Sequence, residues 1–296
     1  MKKSEMTENK IPKVAVLLAA HNGMRWIERQ VESILSQKGV HVTIFFSVDF
    51  STDATEKWVH TLAKRRDDVV MLSYEHRLGG AGRNFYRLIR DVDFSGFDAV
   101  SFSDQDDIWL PNKLIAALDV IQDSGCGGYS SDFYTYSPDG SKKYVKKSYP
   151  QKKYDYLFES PGPGNTFVLA VDHAVKLQKF VRDSSSRINH IYFHDWLIYA
   201  YFRSRSIPWI IDSRAFILYR QHETNVMGAN AGFYAAKKRL ALVKSRWYRK
   251  QVNYICDAIG CGNNVGFFFM VRNWRELRRN PLHSLCLFFL VLTKIY

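Results

Sequence analysis

Residues 101–114 read Ser-Phe-Ser-Asp-Gln-Asp-Asp-Ile-Trp-Leu-Pro-Asn-Lys-Leu, which puts three carboxylates, Asp104, Asp106 and Asp107, into four positions behind an apolar run. Residues 98–103 have the composition of a short strand, and Pro111 restarts the chain into a helical pattern of Leu114, Ala117, Leu118 and Ile121. The carboxylates therefore fall at a strand's carboxyl end, where open α/β sheets bind their ligands. Like charges this close repel, and a divalent cation with a preference for hard oxygen ligands relieves them. An isolated Asp-x-Asp is more often an acidic turn capping the next helix. The surrounding pattern reverses that reading.

Working outward, strands alternate with short helices through the first 125 residues. Residues 14–20 form an apolar run of buried-strand length, broken by His21, Asn22 and Gly23. Ile27, Val31, Ile34 and Leu35 then recur at helical spacing, and the pattern stops near Lys38 and Gly39. A second strand is expected over 42–48, followed by a polar turn from Asp49 to Asp53, in which Asp53 and Glu56 suit a helix cap. A third strand is expected over 69–74, a glycine turn over 79–82 and a helix with Phe85, Leu88, Ile89 and Val92 on its apolar stripe. Such alternation implies a mainly parallel sheet with right-handed crossovers, so the polar turns converge on one edge.

These residues resemble the inverting family 2 glycosyltransferases, which have the GT-A nucleotide-sugar-binding fold, over roughly residues 12–228. The α/β fold class implied is a GT-A, Rossmann-like, mainly parallel sheet flanked by helices, here with a C-terminal helical extension. Ala20, His21 and Asn22 look like the family's first-strand tip beside the nucleotide. Asp49 and Ser51 look like its second-strand element, with Asp49 bonding the base, although Val48 stands where Asp is common and Phe50 where Gly is common. Arg83 resembles the residue facing the donor from the third-strand loop. The run 103–113 is similar to the bacterial rhamnosyltransferase-like branch, in which Asp104 and Gln105 would contact donor and Asp106, assisted by Asp104, would hold Mg2+ or Mn2+.

The resemblance continues into the acceptor half. Residues 161–167, with Gly164 and Asn165, look like the acceptor-side loop, and residues 193–196, with His194, Asp195 and Trp196, look like the segment that carries the catalytic base. Trp109 would join this acceptor surface. Asp195 opens an amphipathic run containing Leu197, Ile198, Tyr201 and Phe202, so it sits near a helix N-terminus. Aromatic neighbours would raise its pKa and the helix end would lower it, and the sequence leaves the balance open, as it leaves the plainer reading of Asp195 as an N-cap. Residues 219–228 resemble the loop closing over the donor phosphates, with His222 either a metal ligand or a structural residue. The chemistry implied is single displacement. The acceptor hydroxyl attacks, Asp195 takes its proton, and the cation offsets charge on the departing diphosphate.

A formal net charge of +13, from 42 Lys and Arg against 29 Asp and Glu, favours an anionic partner. Residues 237–250 hold seven basic side chains and no acid, residues 272–279 add four Arg against one Glu, and Trp247, Tyr248 and Trp274 are interleaved. That composition suits a headgroup interface as well as a solvated basic face. The apolar stretch 282–293 is too short to span a bilayer, which takes about 20 residues. The four Cys, at 126, 256, 261 and 286, show neither metal spacing nor a disulfide framework. With no signal peptide evident, the expectation is a cytoplasmic protein, peripheral on the inner face of the bacterial plasma membrane.

The expected organisation is a flexible stretch 1–10, a GT-A domain 11–228 with donor half 11–136 and acceptor half 160–228, and a basic, apolar helical region 229–296. Residues 137–160, rich in Lys, read as a mobile basic loop. The resemblance implies L-rhamnose from dTDP-rhamnose, moved to a lipid-linked or other glycan acceptor. Galactose or another hexose on UDP stays open, as do a nucleotidyltransferase suggested by Gly79 to Arg83 and a non-enzymatic basic module for membrane or nucleic acid.

Overall fold

The computed structural model describes residues 10–73, 77–222, 245–262 and 265–296. The first nine residues, the expected third-strand end at Tyr74, the closing-loop residues 223–228 and the basic residues 237–244 lie outside the described residues.

The expected alternation is present as β1 (Lys13–Ala20), α1 (Ile27–Leu35), β2 (His41–Val48), α2 (Thr55–Ala63), β3 (Val69–Met71), α3 (Ala81–Asp91) and β4 (Ala99–Ser103). There follow β5 (Ile108–Trp109), α4 (Lys113–Ser124), β6 (Gly128–Tyr136), β7 (Lys142–Val145), β8 (Val168–Ala170), α5 (Val171–Asp183), α6 (Ser185–Ile188), α7 (His194–Ser204) and β9 (Trp209–Arg220). Three helices end the chain: α8 (Trp247–Ile259), α9 (Phe267–Arg272) and α10 (Pro281–Leu292). β1 pairs in parallel with both β2 and β4, and β2 with β3, so the tips of β1, β2 and β4 lie side by side. β8 then runs antiparallel to β4 and to β6, and β9 runs parallel to β6. The result is a curled mixed sheet whose first four strands are wholly parallel.

Period-two alternation sorts β1 between two cores. Val14, Val16 and Leu18 pack with Ile27, Val31, Ile34 and Val59 under α1 and α2. Ala15, Leu17 and Ala19 face Phe85, Leu88, Leu177 and Leu197 of α3, α5 and α7. The last three helices enter this second core through Val252, Ile255, Met270, Leu287 and Val291. They are therefore packed into the sheet's helical layer.

The expectation of a mobile loop over 137–160 is corrected. β7 pairs antiparallel with β6, from Phe133–Val145 to Tyr136–Lys142. Asp132, fully buried, accepts hydrogen bonds from the Ser148 amide at 2.8 Å, the Ser148 hydroxyl at 2.7 Å, the Lys147 amide and the Tyr144 hydroxyl. The exposed lysines of β7 masked an edge strand, since charge on an edge is how proteins blunt unwanted pairing.

A second buried carboxylate ties the chain's end to its middle. Asp155 accepts from Arg203 at 3.1 Å, Arg279 at 3.0 Å and the Tyr199 hydroxyl at 3.0 Å. Arg279 also donates its amide to Glu159 at 2.6 Å and its guanidinium to the Ser160 carbonyl at 2.5 Å, while the Glu276 carbonyl accepts from the Tyr154 amide at 3.1 Å. Removing one member of such a pair leaves uncompensated buried charge. Asp155→Ala is expected to lose about 3–5 kcal/mol of stability, read by urea unfolding. A loss under about 1 kcal/mol would show that the two arginines do not depend on it.

Candidate active site

The site is assembled where the tips of β1, β2 and β4 meet the start of α7. Side chains that grip backbone hold the tips together. Gln105 accepts from the His21 amide at 2.8 Å and donates to the His21 carbonyl at 2.9 Å, joining β1 to β4. A Cβ on Gly23 would collide with that amide, so the approach needs glycine. Asn22, at φ +47°, accepts from the Thr52 amide at 2.7 Å, and its own amide donates to the Ser51 hydroxyl at 3.0 Å. Ala20 is buried, and its carbonyl accepts from the Asp49 amide at 2.8 Å. The expected Asp53 cap forms as a turn instead. Asp53 accepts from the Thr55 amide at 2.9 Å and the Met24 amide at 3.1 Å.

Asp49 is 5% exposed. Burial pushes its carboxyl upward, but the amides of Leu78 (2.9 Å), Gly79 (2.7 Å) and Phe50 (2.9 Å) hold it below the usual range. These bonds fix the loop entering α3, where Gly79 sits at φ +73°. Arg83 lies exposed on the first turn of α3, reaching the Leu78 carbonyl at 3.4 Å.

The three carboxylates after β4 have different partners. Asp107 is 1% exposed and accepts from the Arg220 amide at 3.0 Å and from the Asn165 side chain. Burial first, and then Asp106 and Asp104, push its carboxyl well up. Asp106 lies 2.8 Å from His222 Nε2, and His222 stacks on Trp26 with ring centroids 4.2 Å apart. Asp104 is recessed; burial, with the charges of Asp106 and Asp195, pushes it up to about 8. Among the described residues no three such side chains are gathered closely enough to cage an ion. The donor set nevertheless fits Mg2+ or Mn2+. Mutually repelling carboxylates beside an imidazole are hard ligands, and such cations take one or two carboxylates from protein and the rest from phosphate and water.

On the opposite side, Asp195 stands in the first turn of α7 and accepts from the Trp196 amide at 2.8 Å. Burial outweighs the lowering effects of that amide, the Ser160 hydroxyl and Lys147, and lifts its carboxyl to about 6. His194, stacked on Phe85 at 3.8 Å, is driven down to about 3 by burial and is neutral, and its Nε2 is buried without a partner. Gly164 lies against both, and a Cβ there would run into His194 Nε2. Asn165 keeps an unpartnered buried Oδ1.

Two expected acceptor residues are elsewhere. Trp109 is 2% exposed in the core beneath α4, with the Lys113 ammonium 3.5 Å above its ring. Trp196, also buried, donates to the Tyr156 carbonyl at 3.0 Å and stacks on Tyr248. Pleat parity sends Trp109 inward, and the α7 core stripe takes Trp196. Sequence reasoning missed Ser160 and Lys147. Both sit on segments without periodicity, and their link to Asp195 arises only through the buried Asp132 and Asp155 anchors.

The family 2 glycosyl transferase profile matches residues 15–180. Over 289 residues the chain is 37% identical to a dTDP-rhamnosyl transferase, RfbG, from Shigella flexneri, covering 94% of this chain and all of that protein. The chain belongs to glycosyl transferase family 2. It is 26% identical over 131 residues, 44% of this chain and half of that protein, to a putative teichuronic acid biosynthesis glycosyltransferase, TuaG, from Bacillus subtilis. Among solved structures, TarS from S. aureus with UDP-GlcNAc superposes with a TM-score of 0.56 at 14% identity, covering 96% of this chain and 80% of that one. The TarS complex with UDP gives 0.54 at 14% identity, covering 89% and 72%. These likenesses match the GT-A fold. The chain is thus a glycosyltransferase, which closes the nucleotidyltransferase and binding-module readings.

In this family 2 enzyme Gly164 is packed hard against His194, where an added Cβ would lie 2.3 Å from Nε2. Gly164→Ala forces the His194 ring to shift beside Asp195, and a displacement of about 1 Å near reacting groups costs about a hundredfold in rate. We expect transfer to fall by about that factor while the thermal shift with dTDP stays. Activity within about threefold of wild type, half a decade on the scale where about 1.4 kcal/mol is tenfold, would contradict the packing argument.

Proposed function

We propose that the enzyme moves L-rhamnose from dTDP-rhamnose to a hydroxyl of a lipid-linked or other glycan acceptor, with inversion, in assembly of a bacterial surface polysaccharide such as O-antigen. The observation carrying the donor is the end-to-end match to a dTDP-rhamnosyl transferase. The mechanism is supported by a recessed carboxyl, Asp195, close enough to Asp104 for its charge to raise that carboxyl.

The residues at the strand tips, Ala20, His21, Asn22, Asp49 and Ser51, bind the nucleotide, and Arg83 and Gln105 flank the diphosphate. Asp106, assisted by Asp104 and His222, would hold Mg2+ or Mn2+, which supplies positive charge for the departing diphosphate. Asp195 orients the acceptor hydroxyl and takes its proton during attack. His194 is neutral at working pH, and with Gly164 and Asn165 it forms the wall against which the acceptor rests.

Substrate lipids place the work at the cytoplasmic membrane surface. The support is the basic charge of the last helices and the exposed Phe268, Leu282 and Phe289. No helix among the described residues is long and apolar enough to cross a membrane.

A base must be ionised to act, so kcat/KM is expected to rise with pH through about 6, the value of Asp195, and level off above it. Asp195→Asn should remove this limb and lower kcat by about a hundredfold or more with donor affinity kept. Parallel loss of rate and affinity would make Asp195 structural. For the donor, dTDP-rhamnose is expected to be turned over in preference to UDP-galactose and other UDP-hexoses. Turnover of the UDP-hexoses with dTDP-rhamnose ignored would overturn the donor assignment and leave the mechanism standing.

A further inference from the structure

Away from the strand tips, α8, α9 and α10 enclose a cavity of about 300 Å³. Its floor is apolar, with Phe267, Met270 and Val291, and its lining also includes the cationic side chains of Arg246, Arg249 and Lys294. All three cations are exposed. Among the described residues none of them is paired with a carboxylate. Arg246 takes up the left-handed conformation at φ +57° immediately before α8, a 13-residue helix whose first-turn amides have no side-chain cap. Uncapped amides and the helix dipole both favour an anion there.

An independent observation concerns Tyr296. Its side chain lines the same cavity, is 8% exposed, and has a buried hydroxyl without a hydrogen-bond partner. That hydroxyl is closed off from the cavity and lies near Tyr248 and Arg278, so Tyr296 offers the cavity its ring and not its donor. The same module carries, among the described residues, the most exposed large apolar side chains, Phe268 at 85% and Leu282 at 71%, with Phe289 at 55%. Three cations over an apolar floor, beside an apolar ridge, match one ligand class: a phosphate headgroup followed by hydrocarbon. The volume lies at the small end of ligand cavities, about 300–1,000 Å³, with room for a headgroup and the start of a chain.

We propose that this cavity binds the phosphate headgroup of an anionic bilayer lipid. Arg246, Arg249 and Lys294 engage the phosphate, and Phe267, Met270, Val291 and the Tyr296 ring take the first methylenes. The proposal rests on the membrane-surface reading above and deepens it, replacing a diffuse basic face with a defined site.

The test is sedimentation of the full chain with phosphatidylcholine vesicles, with and without phosphatidylglycerol, at low salt. One basic residue near an anionic surface contributes about fivefold in affinity. Arg249→Ala with Lys294→Ala is expected to weaken binding about 25-fold. A charge-matched control on the distant strand β7, Lys142→Ala with Lys143→Ala, should change it less than about twofold, since exposed charges more than a Debye length from the surface are screened. Inorganic phosphate should displace the protein no better than chloride of equal ionic strength. Equal losses in the double variant and its control, or specific displacement by phosphate, would each overturn the lipid site while leaving membrane association intact. A wild type that ignores both kinds of vesicle would remove the membrane-surface reading as well.

Discussion

Crowding of carboxyl groups in one recess is the constraint on which the rest of this structure depends. Two like charges about 5 Å apart in an effective dielectric near 20 repel by about 3 kcal/mol, and here Asp104 feels both Asp106 and Asp195. The fold relieves the strain unevenly. Asp107 is bonded by the Arg220 amide and Asn165 yet is still pushed well up, and Asp106 is paired with His222. Asp104 and Asp195 keep raised values, about 8 and about 6. A donor site on one side and a proton acceptor on the other are the natural use of two carboxyls held apart in this way.

Holding that arrangement needs rigid strand tips, and each is fixed by a side chain that grips the backbone of its neighbour. Gln105 spans β4 and β1, Asn22 and Ser51 join β1 to β2, and Asp49 holds the loop before α3. On the acceptor side the anchors are ionic. Asp155, Arg203 and Arg279 bind the segment carrying Glu159 and Ser160 to the end of the chain. The C-terminal helices therefore brace the segment beside Asp195 as well as presenting the basic, apolar face.

Much of this was legible in the sequence, and the gaps have physical causes. Apolar runs and helical spacing located β1, α1, β2, α3, β4 and α4 to within a few residues, because local burial dictates them. Asp195 was correctly expected in a helix's first turn. The direction of its shift was not legible, since it depends on how dry the recess is, and burial outweighs the amide. β7 hid behind lysines. Trp109 and Trp196 looked like binding aromatics, yet pleat parity and the α7 core stripe bury them. The Asp155 network joins residues 124 positions apart, and no local pattern announces such a pairing.

The central claim is a single displacement, with Asp195 across the sugar from the diphosphate. The most direct measurement is the anomeric configuration of the transferred sugar, from the one-bond C1–H1 coupling in the product's NMR spectrum compared with that of the donor. The account predicts inversion. A product with the donor's configuration retained would contradict it, because retention requires a covalent intermediate or same-face attack for which this arrangement of carboxyls makes no provision.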